Sequence, residues 1–227
     1  MPRRMTVPDQ HLTEIRLDSQ ELLKGRFLHA FRDSVQLPNG QTATREYVVH
    51  PGAVMVVPML QDEIGNWRVV LERQFRYPVK RVMIEFPAGK LDPGETSLAC
   101  AQRELMEETG YRASEWARAG MLHPVISYST EFIDIWFARG VTAGERQLDE
   151  GEFLDVFTAT PAELLQWCMS GQVTDGKTLA GALWLQNVLS GAWGLEWQSA
   201  NPSPRRRSAH FAATAHQPAF YRRSPAR

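Results

Sequence analysis

Apolar residues follow two different periods along this chain, and the change from one to the other divides it. Residues 22–50, LLKGRFLHAFRDSVQLPNGQTATREYVVH, read as two strands around a turn at Pro38-Asn39-Gly40, because Asn-Gly supplies the positive backbone dihedrals of a tight hairpin. AVMVVPML (53–60) and WRVVLERQF (67–75) are further β-rich runs that bracket the turn residues Asp-Glu-Ile-Gly-Asn, and RVMIEF (81–86) is another. From Thr96 to Thr109 the spacing becomes helical. Leu98, Ala101, Leu105 and Thr109 recur on one side, and Gly110 stands where a helix end takes a left-handed residue. Strands are expected again at FIDIWFARGV (132–141) and FLDVFTA (153–159). Thr160-Pro161-Ala162-Glu163 then forms a capping box with proline at the first helical position, opening helices over 161–170 and 176–190, each followed by a glycine.

Strands, one helix, strands and two closing helices do not make the regular alternation of a doubly wound sheet. The expected fold class is α/β, an α/β/α sandwich with a mixed β-sheet, preceded by an N-terminal antiparallel β-hairpin. Residues 1–50 are the hairpin region of that same fold, 51–197 its main domain and 198–227 a tail.

Composition refines this picture at three points. With 43% hydrophobic residues in 227, the chain can bury a core, and no run of eighteen apolar residues marks a membrane span. The opening MPRRMTVPDQ is charged with no apolar stretch behind it, so a cytoplasmic location is expected. Cys100 and Cys168 sit in helical segments and read as reduced, buried thiols. Charge is unevenly spread: six of the 25 Lys and Arg and none of the 26 acids lie in 198–227, so the remainder carries a net −7. A triple-Arg tail can contact nucleic acid. Its aperiodic Ser, Pro and Ala surroundings point instead to a solvated, disordered end, so no nucleic-acid partner is expected.

The candidate chemistry lies in GKLDPGETSLACAQRELMEETGY (89–111). On a helix Glu104 and Glu108 project about 40° apart, with Glu107 about 60° to the other side. The acids have no Lys or Arg four residues on, and two of them sit near the helix C-terminus, where the macrodipole disfavours negative charge. A divalent cation would offset both costs, and carboxylates grouped on one rigid element suit Mg²⁺. Pro87-Ala88-Gly89 ends a strand, and the turn at Asp92-Pro93-Gly94 brings the backbone near Ala88 against the helix face.

The stretch resembles the Nudix box, with Gly89, Glu95, Arg103, Glu104, Leu105, Glu107, Glu108, Gly110 and Tyr111 in its slots. The resemblance implies Mg²⁺-dependent hydrolysis, Mn²⁺ being a possible substitute, of a nucleoside diphosphate linked to another moiety. Glu104, Glu107, Glu108 and the Ala88 carbonyl would be metal ligands, while Gly89, Glu95, Arg103 and Gly110 would hold the motif in shape. Over residues 20–190 the chain is similar to ADP-ribose pyrophosphatases, through pieces such as LERQFRYPV, MIEFPAGKLDPGE and VTDGKTLAGALW. That likeness implies a homodimer joined through the N-terminal hairpin, with Gln74, Arg76 and Glu85 contacting substrate. A catalytic base is expected from Glu150 or Glu152 in the acidic knot Asp149–Glu152, or from Glu107 on the helix. Tyr128 stands seventeen residues beyond Tyr111, a spacing associated with dinucleoside polyphosphate hydrolases. Those enzymes, and a non-catalytic nucleotide sensor, remain alternatives to an ADP-ribose hydrolase.

Overall fold

The computed structural model describes residues 9–148 and 150–200. Eleven strands and three α-helices are present among them. Three strands, β1 (Ile15–Lys24), β2 (His29–Gln36) and β3 (Thr42–Val49), form an antiparallel sheet of their own. The expected hairpin is its β2–β3 half, closed by the turn at Pro38–Gly40, where the Gly40 N–H donates to the Leu37 carbonyl. The N-terminal antiparallel hairpin is present, and β1 extends it to a three-stranded meander. All ten residues of β1 are exposed, so the strand lacks the buried, polar alternation by which a sequence announces one.

The main sheet runs β10–β5–β4–β9–β8–β11, formed by β4 (Ala53–Gln61), β5 (Trp67–Arg76), β8 (Tyr111–Leu122), β9 (Ile133–Ala143), β10 (Leu154–Ala159) and β11 (Gln198–Ser199). Only β4 and β9 pair in parallel; the other neighbours are antiparallel, and the sheet is mixed, as expected. The twelve-residue β8 was not among the expected strands. Gln198 and Ser199 pair with Trp116 and Glu115, and Ala200 N–H donates to the Ser114 carbonyl, so the fold runs past the expected domain edge at 197. The rest of the basic tail lies outside the described residues.

Alternation along β4 shows the layers. Val54 and Val56 pack with Cys100, Ala101, Leu105, Trp116 and Trp136 under helix α1 (Ser97–Thr109). Met55, Val57 and Met59 face the opposite core, which includes Leu164 of α2 (Pro161–Ser170) and Ala182 and Leu185 of α3 (Gly176–Leu189). A strand buried on both faces between helical layers is the centre of an α/β/α sandwich. Each helix begins as its sequence dictates. Thr96 Oγ1 accepts from Ala99 N–H, Thr160 and Glu163 exchange the two bonds of a capping box, and Asp175 accepts from Thr178 N–H. Gly110 ends α1 with φ of +76°, and its N–H donates to the Met106 carbonyl.

One irregularity brings the acidic helix and the end of β6 to the same place. β4 and β5 pair only over Met59–Gln61 and Trp67–Val69 and then separate. Into the fork runs the segment of β6 (Arg81–Glu85) and β7 (Ala88–Lys90), β6 pairing with β5 and β7 with β4. Val56 N–H reaches across to the Pro87 carbonyl. Glu85 therefore ends on one side of the fork and Ala88 on the other, beneath the acidic helix.

Candidate active site

A cleft of about 1010 Å³ opens over this fork. Its acidic wall is α1. Arg103 organises that wall, donating to Glu95 (3.0 and 2.9 Å), to the Lys90 carbonyl (3.1 Å), to Glu104 (2.8 Å) and to Glu107 (3.0 Å). The expectation that the acids lack basic support is thereby corrected. The partner lies four residues before Glu107 rather than after it, the less favourable helical orientation, and reaches Glu104 and Glu95 through the length of its side chain. Hydrogen bonding to Arg103 holds the Glu95 carboxyl down to about 2.

Two of the acids lie deep. Glu104 and Glu108 are 9% and 4% exposed. Glu108 accepts from Ala88 N–H at 3.0 Å, and a Cβ added to Gly89 would stand 1.8 Å from a Glu104 carboxylate oxygen. Only glycine lets the strand approach that carboxylate, which gives the motif position its physical reason. Burial pushes Glu104 up to about 7 against the pull of Arg103. Burial, then the charges of Glu72, Glu104 and Glu152, raises Glu108 well above the ordinary carboxylate range. Glu72 on β5 is fully buried, and neither of its oxygens has a hydrogen-bond partner among the described residues. Burial and then Glu85 raise it to about 8. A divalent cation fits this excess of hard, under-neutralised oxygens. Among the described residues no three Asp, Glu, His or Cys side chains form a ready cage. A bound ion would therefore draw on Glu104, Glu108 and the adjoining backbone, with water and substrate oxygens completing its shell, as Mg²⁺ commonly does.

The opposite wall is cationic. Arg76 at the end of β5 grips Glu85 with two hydrogen bonds (2.7 and 2.9 Å), and Lys177 binds Glu85 from the other side. Burial would push Glu85 up, but the two cations outweigh it and hold its carboxyl below the usual range. Further along, Phe27 and His50 meet edge-on with ring centres 6.0 Å apart, and Lys90 lies over Phe27. His50 Nδ1 accepts from Gly52 N–H (3.1 Å), and burial lowers its pKa despite Glu131 nearby.

Of the residues expected from sequence, Arg76, Glu85, Ala88, Gly89, Arg103, Glu104, Glu107, Glu108 and Glu152 line the cleft. Glu95 and Gly110 hold the shape of the loop and helix around it. Glu150 is exposed in a turn and does not line the cleft. Gln74 does not line the cleft; it is half-buried, and its Oε1 has no hydrogen-bond partner among the described residues. Tyr128 is 59% exposed outside it, its backbone carbonyl accepting from Val48 N–H of the N-terminal sheet. Sequence reasoning missed Glu72 and Lys177. The signal for Glu72 was an acid in the otherwise apolar run Val69-Val70-Leu71; Lys177 had none beyond its place after a capping Asp.

Residues 49–179 match the NUDIX domain and residues 14–48 the nucleoside diphosphate sugar hydrolase N-terminal domain. The chain therefore belongs to the Nudix family, and it is a Nudix hydrolase. Nudix hydrolases generally require a divalent metal ion. Among its relatives, the methanol dehydrogenase activator of Bacillus methanolicus is 36% identical over 174 residues, 75% of this chain and 91% of that one. The ADP-ribose pyrophosphatase of Bacillus subtilis is 33% identical over 177 residues, 77% of this chain and 94% of that protein. The ADP-sugar pyrophosphatase of Mus musculus is 33% identical over 172 residues, 70% and 77% of the two chains. A crystal structure of an ADP compounds hydrolase superposes with a TM-score of 0.70 at 22% identity, covering 79% of this chain and 95% of that one, which shows the shared fold. No helix among the described residues is long and apolar enough to cross a membrane.

The raised carboxyls fix the sign of a pH effect. Glu72, Glu104 and Glu108 hold protons more tightly folded than unfolded, so the stability they confer is present below the ordinary carboxyl pKa of 4.5 and is lost as pH rises through about 7 and 8. Glu85 and Glu95 act oppositely, losing their contribution only as pH falls below that value. In chelator the melting temperature should be highest near about pH 5 and fall by about pH 8, and excess divalent cation at the higher pH should recover it. A melting temperature flat across that range, or indifferent to cation, would show that the acids do not form a cation site.

Proposed function

We propose that this protein hydrolyses the diphosphate linkage of ADP-ribose, or of a related nucleoside diphosphate sugar, using Mg²⁺. The observation that carries the reading is a single cleft in a Nudix chain with two buried, mutually repelling carboxylates on one wall and a tethered pair of cations on the other. Mg²⁺, or Mn²⁺ in its place, held by Glu104 and Glu108 with the Ala88 carbonyl and Glu107 adjoining, would neutralise the diphosphate and lower the pKa of the attacking water. Arg103 keeps Glu104 and Glu107 oriented for that task. Arg76 meets the substrate's anionic oxygens from the opposite wall. Glu152 lines the cleft from the loop before β10, close enough to Glu104 and Glu108 to raise both, which supports it over the exposed Glu150 as the group that takes the proton of the attacking water. The water oxygen bonds to phosphorus, a bridging P–O bond breaks, and ADP-ribose yields AMP and ribose 5-phosphate.

The names of the relatives support an ADP-sugar substrate. Tyr128, the feature that favoured dinucleoside polyphosphates, stands outside the cleft. ADP-ribose, ADP-glucose, GDP-mannose and diadenosine tetraphosphate, assayed by phosphate release after phosphatase coupling, should rank with ADP-ribose or another sugar nucleotide first. Better turnover of the tetraphosphate would overturn the substrate assignment. Glu108→Gln should lower turnover on the order of a hundredfold or more while leaving the chelated protein as stable or, as pH rises, more so, since a buried carboxyl that is costly to ionise is replaced by a neutral amide. Full turnover by that variant would favour the nucleotide-sensor alternative.

We also propose a homodimer built on the N-terminal sheet. Ile15, Leu17, Leu22 and Leu23 of β1 and Phe75, Tyr77, Val79 and Val82 around the β5–β6 turn are exposed apolar side chains, more than a lone domain of this size comfortably shows. Light scattering should give twice the 25.7 kDa of one chain. Leu17→Lys combined with Val82→Lys should halve it, and a wild-type mass of one chain would refute the dimer.

A further inference from the structure

Lys177 takes part in a chain of alternating charge that runs from helix α3 to the cleft. Asp175, the N-cap of α3, accepts from Thr178 N–H (3.0 Å), from the Thr178 hydroxyl (2.7 Å) and from Lys177 Nζ (3.0 Å). Lys177 Nζ also donates to Glu85 Oε2, whose carboxylate is gripped by Arg76 through Nε (2.7 Å) and Nη2 (2.9 Å). The Thr178 hydroxyl oxygen accepts from Phe86 N–H (3.1 Å), the residue after Glu85, so the helix start and the strand end are pinned together by backbone as well. The sequence of charges is Asp175, Lys177, Glu85, Arg76.

Arg76 is the most exposed member of this chain. The Glu85 side chain is 2% exposed, that of Lys177 12% and that of Arg76 40%. Both Glu85 oxygens are occupied, and Lys177 is mostly enclosed by the two acids that it bridges. Lys177 also lines the cleft, but Arg76 offers the broader donor edge to a ligand, because its grip on Glu85 uses Nε and Nη2 and leaves Nη1 without a bond to that carboxylate. An arginine side chain has many rotamers. This one is fixed only as firmly as the carboxylate that it holds.

We infer that Lys177 is a positioning residue for substrate binding: by anchoring Glu85 to the capped start of α3, it holds the Arg76 guanidinium aimed at the anionic oxygens of a nucleoside diphosphate. The inference rests on the functional reading above and assigns that reading a residue far from the Nudix motif. Lys177 touches no substrate in this account. Its effect passes wholly through Glu85 and Arg76.

Steady-state kinetics on the intact protein, with the best sugar nucleotide of the panel and saturating Mg²⁺, test this. Lys177→Met should raise KM on the order of tenfold with kcat changed far less, since a ground-state and transition-state contact is loosened alike. In an Arg76→Ala background, already weak in binding, the same Lys177→Met change should raise KM no further. Asp175→Asn keeps the helix cap and loosens only the anchor, so it should move KM in the same direction; it carries the test if Lys177→Met fails to fold. An unchanged KM with a lowered melting temperature would show a structural brace and overturn the inference. A KM effect that persists in the Arg76→Ala background would show direct contact with substrate and overturn it equally. A wild-type protein that turns over no sugar nucleotide overturns the functional reading and this inference together, whereas active wild type with an indifferent Lys177 overturns the inference alone.

Discussion

Repulsion between buried carboxylates is the constraint around which this protein is arranged. Glu104 and Glu108 face Gly89 and Ala88 in a space from which water is largely removed, with Glu72 buried behind and Glu152 near. Desolvation of one carboxylate alone costs several kcal/mol unless it is neutralised. The chain supplies only part of that neutralisation. Arg103 reaches Glu104, and the Ala88 amide reaches Glu108, while Glu72 receives no donor among the described residues. A fold that tolerates such a deficit keeps a place for positive charge from outside, and Nudix hydrolases generally require a divalent metal ion.

Much of this was legible in the sequence, and the exceptions share a cause. The helix of the motif, its Thr96 cap and its Gly110 stop were visible because each is decided within a few residues. The central strands announced themselves by apolar runs, and Glu85 by standing as an acid between Ile84 and Phe86. Strand β1 was invisible because its ten residues bury neither face in one chain, and β8 because Glu115, Arg112 and Arg118 interrupt its apolar positions. Lys177 and Tyr128 failed in opposite senses. Linear spacing placed Tyr128 near the chemistry, although its side chain points to solvent; it gave no hint that Lys177 would meet Glu85 at all. Spacing along one helix is geometry, while spacing between elements depends on a fold that the spacing does not encode.

The two walls of the cleft achieve their charge balance differently. The acidic wall is left short of cations, whereas Asp175, Lys177, Glu85 and Arg76 sum to zero among themselves. Self-neutralisation makes the second wall rigid without an ion and leaves only the guanidinium edge uncommitted. A site with one wall that needs a cation and another that presents one suits a ligand carrying negative charge in the middle, which is the form of a diphosphate.

The fork between β4 and β5 also bears on how the molecule assembles. Ala88 and Glu108, which meet beneath the acidic helix, are 20 residues apart, but Glu85 and Lys177 are separated by 92. Closing the longer loop costs about 1.4 kcal/mol more in chain entropy, and it must wait for α3 to emerge. During synthesis the acidic half and the Arg76–Glu85 pair can take shape before Lys177 arrives to tie that pair to α3. The tie between Glu85 and α3 is thus the contact of the cleft that spans the most chain, and it closes only once the last helix is present.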